Sequence, residues 1–226
     1  MLGLVMSGLT VAPVAEAHQP YCEDEDLTLE TAWVIADPRV STAFYGTLES
    51  EQDVDYFVLD AVAGQRVFLS ITIPQIEGQA EFDPVIGVFG PGLADEVPDA
   101  DRVVPGAGGS LLLPAADAQE FYEPFGGRYY WQRQEATVTL PEAARYVIAV
   151  WHPDGEMGRY TFVYGQREVL GGDYGCNDGE YWQPVGVAAT GETEEVRPSL
   201  LAQLLRMLGG QSSGEGDHDH DDTHSH

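Results

Sequence analysis

Residues 46–73, GTLESEQDVDYFVLDAVAGQRVFLSITI, alternate apolar, strand-forming runs with turn chemistry. VDYFVLDAV (54–62) and QRVFLSITI (65–73) are rich in β-branched and aromatic residues, and the polar breakers ESEQD and AGQ set them apart. The pattern extends in both directions. STAFYGTL (41–48) precedes it, and PVIGVFG (84–90), SLLLP (110–114), EATVTL (135–140), RYVIAVWH (145–152) and GRYTFVYG (158–165) follow. Tyr146, Ile148 and Val150 alternate with Val147, Ala149 and Trp151, the period-2 signature of a strand. No sustained helical period occurs within 41–165, and Gly and Pro punctuate it throughout. About eight strands without strand–helix alternation predict an all-β fold, an antiparallel β-sandwich of jelly-roll type.

The same stretch resembles the core of bacterial pre-peptidase C-terminal (PPC-like) domains. There a Gly-x-Leu strand leads through an acidic turn to an Asp-x-Asp-Tyr-Phe strand, and an Ala-Gly-Gln turn leads to a third apolar strand. Here these positions are Gly46, Leu48, Asp53, Asp55, Tyr56, Phe57, Ala63, Gly64 and Gln65. FDPVIGVFGP (82–91) and ARYVIAVWHPDGEMGRYTFVYG (144–165) are similar to the later strands of that family, so the likeness covers residues 41–165 with a large insertion between 92 and 135. Such domains are typically non-catalytic appendages of secreted enzymes, which implies a binding or adhesion module for polysaccharide or protein. No enzyme is expected ahead of the module, which leaves the usual accessory role without a partner in the same chain. The chain as a whole also resembles uncharacterised exported bacterial proteins that begin His-Gln-Pro, a likeness that implies export and no activity.

Residues 2–14, LGLVMSGLTVAPV, have the length of a secretory signal core and are too short to span a bilayer. Ala15-Glu16-Ala17 supplies a small-x-small cleavage site, so residues 1–17 are expected to be a signal peptide and the mature chain to begin at His18. No Lys or Arg precedes Arg39, so the usual positive leader is missing and a true start upstream is expected. No later stretch reaches membrane-spanning length, and a secreted, periplasmic or cell-surface location follows. The 38 acidic residues face 10 basic ones, all Arg, for a net charge of −28. Such a surface excludes nucleic acid and anionic membranes as partners and suits an exterior rich in salt or divalent cations. It equally serves solubility alone. The two cysteines, Cys22 and Cys176, read as a disulfide, as an isolated pair in an exported chain usually does. A thiolate metal site lacks the CxxC spacing that would support it.

Few side chains suit catalysis. The serines sit in no nucleophile-elbow motif, and there is no zincin helix or phosphate loop. His18 and His152 are the histidines that lie outside the tail. After cleavage, the α-amine and ring of His18 would chelate one metal, with His152 as third donor in an N3 set suited to copper. The ordinary alternative makes His152 a strand-end residue packed beside Trp151. Asp53, Asp55 and Asp60 are candidate calcium ligands or a solvated acidic turn, and Glu23-Asp24-Glu25-Asp26 carries the same two readings. Tyr122, Tyr129, Tyr130 and Trp131 form either a ligand platform or the core of the insertion.

Beyond residue 166 a Gly-rich, aromatic extension is expected to pack back through Cys176, within a β-sandwich domain spanning 18–190. Residues 191–226 comprise a linker, a short amphipathic helix over 197–208 and a disordered tail. That tail interleaves His218, His220, His224 and His226 with aspartates and should bind copper or zinc weakly. The leading expectation is an exported, non-enzymatic β-sandwich that binds copper or zinc through His18 and the tail. A polysaccharide- or protein-binding module is the alternative. A copper-dependent oxidative enzyme built on the His18 brace stands third.

Overall fold

Every second residue of the apolar runs needs a dry surface, and two stacked sheets supply one. The computed structural model describes residues 18–124, 126–173, 175, 176, 179 and 181–185. The leader (1–17), the Leu-rich segment (197–208) and the His/Asp tail lie outside the described residues. The strands are β1 (Gln19–Cys22), β2 (Trp33–Val34), β3 (Thr42–Leu48), β4 (Val54–Ala61), β5 (Gln65–Pro74), β6 (Val85–Phe89), β7 (Ser110–Leu113), β8 (Gln119–Glu123), β9 (Arg128–Leu140), β10 (Ala144–Trp151) and β11 (Gly158–Tyr164). Among the described residues a single helical turn, α1 (Ala100–Val103), interrupts them. One sheet has the order β1-β3-β11-β5-β9-β8 and the other β2-β4-β10-β6-β7. The all-β sandwich is therefore as expected.

Two features differ from a purely antiparallel arrangement. β1 runs parallel to β3, and β2 parallel to β4. The first four strands alternate between the sheets, so β1 lies beside β3 and β2 beside β4, and none forms a hairpin with the next in sequence. β9 also begins seven residues before the EATVTL run. It is carried there by a bulge at Arg133, which falls between the pairs Ile71↔Gln134 and Thr72↔Gln132. The buried Arg133 guanidinium donates to the carbonyls of Ala80 (2.5 Å) and Ala116 (3.5 Å).

Between the sheets, Phe57 stands edge-on to Phe44 (5.2 Å between centroids) and against Phe162 (4.5 Å), within a cluster that includes Leu48, Leu59, Ile71, Ile148 and Tyr160. The outer faces are also covered. Val97 and Val104 of the insertion lie over Tyr56, Phe89 and Ala149, and the Tyr56 hydroxyl donates to the carbonyl of Val103 (2.8 Å). On the other sheet, Tyr181 packs on Tyr45 (4.9 Å) and bonds Thr161 (2.9 Å), while Trp182 packs on Tyr130 (5.3 Å). The Cys22–Cys176 disulfide staples this extension to β1 across 154 residues of sequence, with a Cα separation of 5.0 Å.

A loop of that length corresponds to about 5 kcal/mol in the chain-entropy treatment, and natural bridges deliver about 2–5. Replacing both cysteines by serine should lower the unfolding free energy by that amount in urea titrations. Unreduced, denatured wild type should take up no thiol reagent; stoichiometric labelling of both cysteines would refute the pairing.

Candidate metal centre

The acidic run after β1 meets the second residue of β4 at one end of the sandwich. Glu23 follows Cys22 directly, its N–H donating to the carbonyl of Tyr45 (3.1 Å) and its carboxylate accepting from the N–H of Thr47 (2.7 Å). Asp55 shares the inward parity of Phe57 and Leu59 and is 0% exposed. From the opposite sheet, the Tyr160 hydroxyl donates to Asp55 Oδ2 at 2.5 Å, whereas Asp55 Oδ1 receives no N–H or hydroxyl, and the carboxyl group of Glu23 lies against that of Asp55. Asp26 reaches in from the loop, so that one carboxylate oxygen each of Glu23, Asp26 and Asp55 lies within 4.8 Å of the others. Asp53 and Glu49 line the same open cleft, and Asp53 is held by the N–H of Glu49 (2.5 Å).

Burial, and after it the charge of Glu23, holds the Asp55 carboxyl well above the usual carboxylate range. Burial raises Glu23 and Asp53 as well. The basic side chain at this cleft, Arg159, is engaged elsewhere, bonding Thr47 Oγ1 (3.1 Å) and the carbonyl of Gln183 (2.8 Å) and facing the Tyr181 ring at 5.9 Å. Three converging carboxylates with no ammonium or guanidinium among them must retain protons or accept a cation. Hard oxygen donors of this kind suit calcium.

Of the calcium candidates, Asp55 stands at the centre and Asp53 at the wall, but Asp60 is not part of the site. Five residues along one strand reverse the side chain, so Asp60 is exposed on the outer face, in register with Arg145. Sequence reasoning singled out the Glu23–Asp26 run without joining it to Asp55, because the parallel pairing of β1 with β3 is what brings them together. Tyr160 carries no signal in the sequence beyond its place in a strand.

The pairing of His18 with His152 is corrected. His18 Nδ1 bonds Ser41 Oγ just before β3 begins. His152 stacks on Phe82 (5.4 Å), whose ring lies against Gly158, and Gly158 is opposite Leu48 at the far end of β3. Seven residues of strand separate the two histidines by roughly 20 Å. His152, 6% exposed, is also fully occupied. Its Nδ1 accepts from the N–H groups of Asp154 (3.2 Å) and Glu156 (3.1 Å), which leaves Nε2–H to donate to Asp83 (2.9 Å). The ring is a structural peg that ties the β10–β11 turn to residues 82–83.

The aromatic segment divides between the exposed tip of the hairpin and its covered base. Tyr122 and Tyr129 are exposed and paired (4.9 Å) on the β8–β9 hairpin, whereas Tyr130 is buried and Trp131 packs against the core. Cys22 and Cys176 are bonded to each other and offer no thiolate. His218, His220, His224 and His226 lie outside the described residues.

No family model and no curated protein matches the chain. Several solved structures are similar to it, three of them as follows. The periplasmic inhibitor of g-type lysozyme PliG from Aeromonas hydrophila is 15% identical with a TM-score of 0.35, covering 66% of this chain and 98% of that one. The pre-peptidase C-terminal domain of Bacillus anthracis collagenase is 11% identical with a TM-score of 0.31, covering 66% and 97%. CorA, a surface-associated copper-binding protein of Methylomicrobium album BG8, is 10% identical with a TM-score of 0.28, covering 68% and 100%. Likenesses of this size identify no ligand.

The peg is open to test. His152→Ala should lower the unfolding free energy by roughly 2–4 kcal/mol, through lost packing on Phe82 and two orphaned backbone donors. A loss below about 0.5 kcal/mol in a urea titration would contradict that role.

Proposed function

We propose that this protein is an exported β-sandwich binding module that takes a divalent cation of the hard, oxygen-seeking class, calcium, between Glu23, Asp26 and Asp55. One observation carries the reading: Asp55 is wholly buried with one carboxylate oxygen unpartnered and facing two further carboxylates. A buried charge left in that condition costs several kcal/mol, and a bound ion offsets the cost. The apolar leader, the Ala15-Glu16-Ala17 site, the disulfide and the charge of −28 all support an exterior location. In the same reading the His/Asp tail takes the borderline metals, copper or zinc, weakly and through several imidazoles. A second role, contact with polysaccharide or protein, is favoured by the exposed pair Tyr122 and Tyr129 at a sheet edge. If that pair is a platform, replacing both tyrosines by Ala should abolish glycan-array binding by the wild type without altering the melting temperature by more than about 2 °C.

The sign of the pH dependence follows from Asp55. Its carboxyl is raised in the folded chain, so between the unfolded value of about 3.9 and the folded one the native state holds the extra proton. Metal-free stability therefore falls as pH rises through this window, and calcium, which displaces the proton, stabilises more at about pH 8 than at about pH 5. At a hundred times its Kd, calcium should add about 2.7 kcal/mol, or roughly 5–10 °C. Asp55→Asn should raise the metal-free melting temperature at about pH 8 and remove the calcium effect. An equal calcium shift in wild type and Asp55→Asn, or none in wild type, would overturn the proposal.

A further inference from the structure

The other end of β1 carries a second set of donors, unconnected with the Asp55 cleft. Backbone bonds fix their positions. The N–H of Gln19 donates to the carbonyl of Ser41 (2.8 Å), the N–H of Ser41 to that of Arg167 (2.9 Å), and the N–H of Arg167 to that of Arg39 (2.8 Å). His18 and Glu168, each adjoining one of these residues, are thereby held face to face. His18 Nδ1 lies 4.0 Å from Glu168 Oε1, too far for a hydrogen bond, and Glu168 Oε2 is buried with no hydrogen-bond partner. Both side chains remain about one-quarter exposed, which gives an ion a path in and leaves room for water ligands.

We propose that His18 and Glu168 form a copper(II) site once His18 is the first residue of the chain. Release of residues 1–17 converts the His18 nitrogen from an amide, a poor ligand, to a free amine. The amine and Nδ1 then close a six-membered chelate ring on one ion. Metal–nitrogen and metal–oxygen bonds are each roughly 2 Å, so a 4.0 Å gap matches a carboxylate oxygen trans to Nδ1 across one ion. Trans nitrogen and oxygen donors in a plane are the arrangement that copper(II) prefers, whereas a tetrahedral zinc site would need the two atoms closer together. Ser41, wholly buried, positions the ring through its hydroxyl in the empty site, and a metal at Nδ1 takes the place of that hydroxyl, which must swing aside by rotation about the Ser41 Cα–Cβ bond. Glu168 thus takes the place that sequence reasoning gave to His152. The inference rests on export only for how the terminus is made in the cell, so its test uses protein prepared to begin at His18.

The test compares four full-length mature chains, all with the tail histidines changed to Ser: the parent, one with a single Gly before His18, Glu168→Gln and Asp55→Asn. Copper(II) affinity is measured by competition titration, coordination by electron paramagnetic resonance, and the calcium-induced melting shift is recorded alongside. The parent should bind one copper equivalent. The Gly extension should weaken it at least tenfold, and Glu168→Gln should weaken it about tenfold and shift the spectrum toward a nitrogen-and-water set. Asp55→Asn should leave copper binding unaltered, and Glu168→Gln should retain the parent's calcium response, whatever that is. Unchanged affinity and spectrum in Glu168→Gln would overturn the role of the carboxylate. Unchanged affinity in the extended chain would overturn the site. Loss of copper binding in Asp55→Asn would overturn its independence from the cleft.

Discussion

The Cys22–Cys176 bond ties the first strand to the extension that follows the last one, and both proposed metal sites hang from that strand. β1 is four residues long, half-buried and parallel to its one neighbour, too little to hold an edge by itself. The disulfide fixes its end. Glu23 is the next residue, so the same covalent link sets the position of a carboxylate in the acidic cleft. His18 lies four residues before Cys22, where the backbone bond from Gln19 to Ser41 completes the anchoring. The extension in turn seals the outer face of the six-stranded sheet with Tyr181 and Trp182.

Within that frame the Asp55–Tyr160 hydrogen bond is the unusual polar feature of the interior. It crosses from one sheet to the other, next to the Phe44–Phe57–Phe162 stack. A core that served stability alone would place an apolar side chain there, since a buried carboxylate with half its capacity unfilled lowers stability. Its retention beneath an acidic cleft, against Glu23 and Asp26, fits a group that is completed by a cation. The cost falls on the metal-free protein and increases with pH.

Much of this architecture is legible in the sequence. Residues 41–48, 54–73 and 144–165 declare their strands through β-branched and aromatic content, and the lone cysteine pair declares its bond. What resists reading is whatever depends on topology. QPYC and WV are too short to show a period, so the parallel edge strands, and with them the meeting of Glu23 with Asp55 and of His18 with Glu168, are invisible along the chain. The exclusion of Asp60 was available from parity alone, since Asp55 and Asp60 are an odd number of residues apart on one strand. For His152, a chemically apt residue at a strand end looks the same whether it binds a metal or pegs a turn. Only the two N–H groups converging on Nδ1 distinguish the cases.

The most direct measurement is a crystal structure of the protein grown in calcium, with anomalous scattering used to locate the ion. Calcium should appear between Glu23, Asp26 and Asp55, at about 2.3–2.6 Å from their oxygens, with Tyr160 still donating to the other oxygen of Asp55. A cleft without an anomalous peak, or a peak elsewhere while Asp55 keeps its free oxygen, would contradict the assignment of this buried carboxylate to a cation.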